Sequence, residues 1–175
     1  SLLNEHKAGS AVLMDISNGN ILCMVSTPSY NPNKIIQKPN KKYWDSILDN
    51  ELSPLTYRCI QGLYAPGSTF KMVVAIAGIV NGIIDTNTKH FCSGKIGLGD
   101  RLYHCWKNNG HGSMNVSDAI KESCDVFFYE ISKKIGIDKI SKVAEDFGLG
   151  KIYDIPLPNQ KKGIIPSRDW KKKKY

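Results

Sequence analysis

Ser68 and Lys71 stand three residues apart in Pro66-Gly67-Ser68-Thr69-Phe70-Lys71, a spacing that turns both side chains to one side of a helix. A serine hydroxyl is a weak nucleophile until something accepts its proton, and a lysine amine within reach can do so once burial lowers its proton affinity. Exposed N–H groups at a helix start favour negative charge and can stabilise an acyl oxyanion. The chemistry this predicts is acyl transfer through Ser68, with Lys71 as base. Ser after Pro-Gly is also an ordinary helix N-cap, and Ser-x-x-Lys arises by chance about once in a chain of this size, so a second element must decide. Ser123-Cys124-Asp125 can supply it, with the Ser123 hydroxyl relaying a proton to a leaving amine and Asp125 holding Lys71 in place. The alternative local reading is that Ser123 and Asp125 cap a helix beginning at Val126.

The elements that must position these groups can be read from periodicity. Two apolar runs, Ala11 to Ile16 and Ile21 to Ser26, flank Ser17-Asn18-Gly19-Asn20, which predicts a β-hairpin with a tight turn at Asn-Gly. Pro28, Pro32 and Pro39 predict a loop up to about Lys42, followed by a short helix over Tyr43 to Leu48. A helix is expected from Ser68 through Val80, stopping at Gly82. Thr86 to Met114 has no sustained periodicity and reads as an extended connection needing a local brace. Helical pattern resumes over Asn115 to Ser123 and Val126 to Ile135, then after Asp138, an expected N-cap, through Phe147.

The chain has 175 residues, 41% of them hydrophobic, enough to bury a core as one domain. Its longest apolar stretch, Met72 to Val80, is far short of the roughly 20 residues that span a bilayer, and no charged-apolar-small leader opens it. The abrupt ends read as those of an excised or truncated segment. A net charge of +8 would suit a polyanion, but the lysines are scattered and read as a solvated basic surface. Five cysteines, Cys23, Cys59, Cys92, Cys105 and Cys124, form an odd set that argues against complete internal pairing.

Longer blocks around the two motifs carry a resemblance. Ser-x-x-Lys with a downstream Ser-Asp-Asn and Lys-Thr-Gly marks class A β-lactamases and penicillin-binding proteins. Ile21 to Asn33 resembles the strand and loop preceding the active serine in class B penicillin-binding proteins, and Arg58 to Lys71 resembles the approach to their nucleophile. Trp106-Lys107, Gly110-His111-Gly112 and Ser123 to Tyr129 are similar to the elongation subgroup, penicillin-binding protein 2, in which the second motif carries Asp, as Asp125 does here. The resemblance runs from about Gly9 to Lys174. One departure is that no Lys-Thr-Gly or Lys-Ser-Gly occurs.

The resemblance implies an α/β fold: a partial transpeptidase domain of serine β-lactamase-like type over residues 1–175, an N-terminal β-hairpin plus a helical lobe, helix-rich overall. The strand of the third motif, the pedestal and the membrane anchor are expected to be absent. It implies a serine D,D-transpeptidase acting on peptidoglycan stem peptides in lateral wall synthesis, with β-lactams acylating Ser68. The intact protein would be anchored in the bacterial inner membrane, facing the periplasm, among elongation-complex membrane proteins. No organic cofactor is implied.

Cys92, Cys105, His111 and Cys124 follow C-x12-C-x5-H-x12-C, and three thiolates with one imidazole complete a closed tetrahedral zinc site. Some elongation-class members resemble this arrangement, with aspartates where Cys92 and Cys105 stand. Zinc here would tie the unperiodic connection to the junction presenting Ser123 and Asp125. Buried free thiols and a Cys92–Cys105 disulfide are the other readings. His90 and His104 are alternative ligands, and Cys23 and Cys59 are expected to pack in the core. Two further functions stay open at this point. One is a zinc-braced interaction module without turnover. The other, a basic nucleic-acid binder, is disfavoured because the short Cys-x2-4-Cys knuckle is missing.

Overall fold

The computed structural model describes residues 2–36 and 40–174. They form two compact units, one running to Tyr64 and including Ile152–Lys161, the other comprising Ala65–Lys151 and the segment from Lys162 onward.

The first unit is built on the predicted hairpin, β1 (Gly9–Met14) and β2 (Ile21–Thr27), paired antiparallel from Gly9 opposite Thr27 to Met14 opposite Ile21. Its turn is held by side-chain chemistry: Asp15 accepts from the Ser17 amide at 2.9 Å, and Gly19 takes φ 78°, open to glycine without strain. The proline-rich segment is not all loop, since a short helix α1 spans Pro32–Ile36; Pro39 lies outside the described residues. Helix α2 (Lys41–Leu48) starts two residues before the expected Tyr43, because Asn40 caps it by accepting from the Tyr43 amide. Helix α3 (Arg58–Gln61) packs on β1 and β2, and the Cys59 thiol donates to the Val25 carbonyl at 3.2 Å. Cys59 is half-buried and Cys23 exposed, so the expected core packing fails for Cys23. It lies on a two-stranded ribbon whose faces are largely open.

The second unit holds nearly all of the core. A 3-10 turn, Gly67–Phe70, leads into α4 (Lys71–Val80), which ends at Asn81 ahead of Gly82. The stretch expected to lack regular structure contains four short strands: β3 (His90–Cys92), β4 (Lys95–Leu98), β5 (Arg101–His104) and β6 (Gly112–Met114). They pair as β3 with β6 and β4 with β5. Strands of three or four residues are too short for an alternation to be read in sequence. Then come α5 (Val116–Lys121), α6 (Asp125–Ile135) and α7 (Ile137–Asp146), with α4 packed on α6 and α7. Asp138 is not the N-cap of α7; Gly136 holds that place at φ 82°, and the Asp138 carboxylate accepts from the Arg168 amide at 2.9 Å. Helix α8 (Arg168–Lys174) follows.

Phe127 and Ile131 are buried at the centre of this lobe with Val74, Ala77 and Ile84. Burying each large side chain contributes roughly 1.5–3 kcal/mol. That packing fixes α4 against α6, and with them the two motifs at their N-terminal ends.

Candidate active site

Ser68 lies exposed in the 3-10 turn, and Lys71 is the first residue of α4, half-buried. Between α5 and α6, Ser123 adopts φ 50°, an unusual conformation for a residue with a side chain. This turns its carbonyl and hydroxyl back toward α4. The Lys71 Nζ donates to the Ser123 carbonyl at 2.7 Å, to Ser123 Oγ at 3.0 Å and to Asp125 Oδ1 at 2.6 Å. Those three acceptors match the three protons of an ammonium. Ser123 Oγ in turn donates to Ser68 Oγ at 3.0 Å. A continuous path thus links Ser68, Ser123, Lys71 and Asp125.

The reach expected of Lys71 toward Ser68 is therefore made through Ser123. A charge-assisted bond to the Asp125 carboxylate outweighs one to a neutral hydroxyl, and it draws the lysine head toward α6. With side chains only 14% and 23% exposed, Lys71 and Asp125 form an ion pair sheltered from water and fixed by the additional bonds around it. Asp125 also opens α6, where negative charge suits the helix dipole. The N-cap place belongs to Cys124, with no side-chain bond to the helix, so the capping reading of Ser123 and Asp125 fails; the Asp125 carboxylate is bonded to Lys71 instead.

Beside this path, Cys92, Cys105, His111 and Cys124 bring their ligand atoms within 4.8 Å of one another. His111 Nδ1 lies 3.7 Å from Cys92 Sγ and 3.5 Å from Cys105 Sγ. Ligands about 2.3 Å (S) and 2.0–2.1 Å (N) from a tetrahedral ion stand about 3.5–3.8 Å apart, so the four residues could hold one. Burial pushes the Cys124 thiol up to about 12, and the adjacent Cys92 adds to the shift. Burial acts in the same sense on Cys105 but is outweighed by the N–H groups of Lys107, Val126 and Asp125, which hold its thiol below the usual value. All five cysteines are free thiols. His90 instead stacks edge-on against Phe127, and His104 sits in β5; neither joins the cluster.

The strands explain how distant residues converge. The Cys105 amide bonds the Gly94 carbonyl at 2.8 Å, and Gly110 packs its backbone onto the segment after Cys92. A Cβ at Gly110 would stand 2.1 Å from the Cys92 carbonyl oxygen, so no other residue fits there. Trp106 is a participant that residue-by-residue reading overlooked: its amide donates to Asp125 Oδ2 at 3.1 Å and its indole Nε1 to the Glu122 carbonyl at 3.0 Å. In the sequence, Trp106-Lys107 stands out only as a resembling block, which gives the tryptophan no role.

Two serines and a lysine joined in the order Ser68, Ser123, Lys71, near the starts of two packed helices, are the arrangement of a serine acyltransferase type of site. Residues 9–175 match the penicillin binding protein transpeptidase domain, and the chain belongs to that family. It is 36% identical over 168 residues, 95% of its length, to the peptidoglycan D,D-transpeptidase MrdA of Escherichia coli K12, and 38% identical over 167 residues to MrdA of Acinetobacter baumannii. Among solved structures it is similar to the penicillin-binding protein PBP2 of Helicobacter pylori, with a TM-score of 0.94 and 36% identity over 99% of this chain and 33% of that one. A Helicobacter pylori PBP2 has also been solved in complex with MreC, and a Pseudomonas aeruginosa PBP2 with WCK 5153. The chain spans about a quarter of the length of the curated relatives it matches. The expected fold, hairpin plus helix-rich lobe, is that of the family. Among the described residues no helix is long and apolar enough to cross a membrane.

Proposed function

We propose that this chain carries the nucleophile half of a peptidoglycan D,D-transpeptidase of the elongation type. The observation that carries the reading is the hydrogen-bonded path from Ser68 through Ser123 to Lys71 and Asp125, in a chain of the transpeptidase family. Ser68 Oγ attacks the carbonyl of the penultimate D-alanine of a stem peptide. The reacting form has Lys71 as the neutral amine, one of its three protons having been given up; as that O–C bond forms, the Ser68 hydroxyl proton passes to Ser123 and the Ser123 hydroxyl proton to the Lys71 amine. The C–N bond to the terminal D-alanine then breaks, and Lys71 returns the proton through Ser123 to the departing nitrogen. An acceptor amine releases the acyl group and regenerates Ser68. Asp125 keeps the lysine head on Ser123 throughout.

A β-lactam acylates Ser68 by the same route. The relatives' names, a peptidoglycan D,D-transpeptidase and a PBP2 in complex with MreC, support assigning the intact protein to wall synthesis with elongation-complex partners; the inner-membrane anchor and the periplasmic place of this domain are what the family resemblance implies. Zinc on Cys92, Cys105, His111 and Cys124 would supply a structural cross-link rather than chemistry at the substrate. It would fix Cys124, the residue between Ser123 and Asp125. The comparisons lend no support to a non-catalytic interaction module.

Incubation of the native chain with a fluorescent penicillin tests the reading. Covalent labelling that disappears in Ser68→Ala is expected, and labelling that survives the substitution, or none in the native chain, overturns it. Metal analysis of protein purified without added zinc tests the brace. One equivalent is expected in the native chain and well under one in Cys105→Ser and His111→Ala; no zinc in the native chain sinks the assignment.

A further inference from the structure

Ser123 holds a left-handed backbone conformation, φ 50°, which a residue with a side chain keeps only when its surroundings over-determine it. Part of that restraint is local: the Ser123 amide bonds the Ile120 carbonyl at 3.1 Å and the Cys124 amide the Ala119 carbonyl at 2.9 Å. Lys71 adds bonds to the Ser123 carbonyl and hydroxyl, and a residue on another segment holds the positions on either side. The indole of Trp106 donates to the carbonyl of Glu122, at the end of α5, where helix carbonyls lack intrahelical partners. The backbone N–H of the same residue donates to Asp125 Oδ2. Trp106 therefore bonds the residue before Ser123-Cys124 and the residue after it.

The second bond also sets the carboxylate. Asp125 Oδ1 is taken by Lys71 and Oδ2 by Trp106, so rotation of the carboxyl would break one bond to keep the other. Core packing does not account for the tryptophan, because it is 62% exposed. Its ring lies edge-on to His111, with centroids 5.2 Å apart, and its preceding residue is Cys105. The indole and the amide both face the second motif, while the ring rests on the cysteine–histidine cluster.

We propose that Trp106 is a positioning residue for the acyl-transfer site, clamping Glu122 and Asp125 so that Ser123 and Lys71 stay in register with Ser68. Its catalytic consequence rests on the acyl-transfer reading above; the clamp itself does not. Loss of the indole donor frees the end of α5, and the strained Ser123 then samples other conformations.

The test compares Trp106→Phe, which keeps a ring on His111 but removes the donor, with Trp106→Ala and with Phe91→Ala, an exposed control. In the full 175-residue chain, two-dimensional amide NMR should show Glu122 to Asp125 shifted in both Trp106 variants and unmoved in the control. Hydrogen exchange at the Ser123 and Cys124 amides should accelerate about three- to tenfold, the worth of one hydrogen bond. If both Trp106 variants leave these resonances and exchange rates unchanged, or if only Trp106→Ala moves them, the donor clamp is refuted. Fluorescent-penicillin labelling in parallel separates the two claims. Where the native chain is labelled, Trp106→Phe should lower the acylation rate constant by a similar factor at unchanged binding constant, and an unaltered rate constant refutes the catalytic role. Absence of labelling in the native chain counts against the acyl-transfer reading alone, and the NMR result still decides the clamp.

Discussion

In the hairpin of β1 and β2, five of the six residues of β1 are exposed, Leu13 among them at 59%, and Leu22 of β2 is 64% exposed. In the lobe built on α4, α6 and α7, Phe127 and Ile131 are 1% and 0% exposed. The hairpin is defined by its turn and its ladder; the lobe is defined by what its helices bury and by the cysteine–histidine cluster set into it. The contrast teaches where each kind of information lies. A two-stranded ribbon needs only a turn of the right conformation and a register, and is marginal without a packed face. A helical lobe needs side chains remote in sequence to fit one another.

The comparison is most sharply broken by stripping the proposed metal. Dialysis against a chelator should unfold the connection holding β3 to β6, because ligand binding contributes directly to folding free energy. Amide exchange should rise throughout residues 90–125 and stay unchanged in β1 and β2; protection that persists in the lobe would mean that packing alone holds it. Next in size is Phe127→Ala, expected to cost about 3–5 kcal/mol in chemical denaturation followed by near-ultraviolet absorption of the lobe. A smaller effect is expected from Gly19→Ala, about 1 kcal/mol, since alanine must adopt the φ of 78° that Gly19 holds. It should appear as faster exchange in β1 and β2 only. The smallest belongs to Leu13→Ala, within about 0.5 kcal/mol. A loss as large as that of Phe127→Ala would show that the exposed face of the hairpin is covered in solution.

Much of the hairpin was legible because its signals are local: Asn18-Gly19 between apolar runs predicted the turn within one or two residues. The starts of α5 and α6 were legible for the same reason. The strands β3 to β6 were not, since three or four residues show no period. Asp138 was misread as a cap because Gly136, at positive φ, performs that task two residues earlier. For the site, residue types and the longer resembling blocks named Ser68, Lys71, Ser123 and Asp125. The order in which they join could not be read, because it depends on the Ser123 backbone and on a carboxylate competing for the lysine.

By itself, the sequence pointed to the family through its longer resembling blocks, to Ser68 as the nucleophile candidate, and to Cys92, Cys105, His111 and Cys124 as a candidate ligand set with His90 and His104 as alternatives, since residue type and local order carry these. Only the tertiary structure decided that Lys71 meets Ser68 through Ser123, that the four ligand atoms converge, and that Trp106 bonds both sides of the second motif. Each of those depends on the packing of α4 against α6 and on strands that bring Cys92, Cys105 and Gly110 together. Contacts between residues tens of positions apart are settled by which surfaces can be buried together, and no local pattern records that.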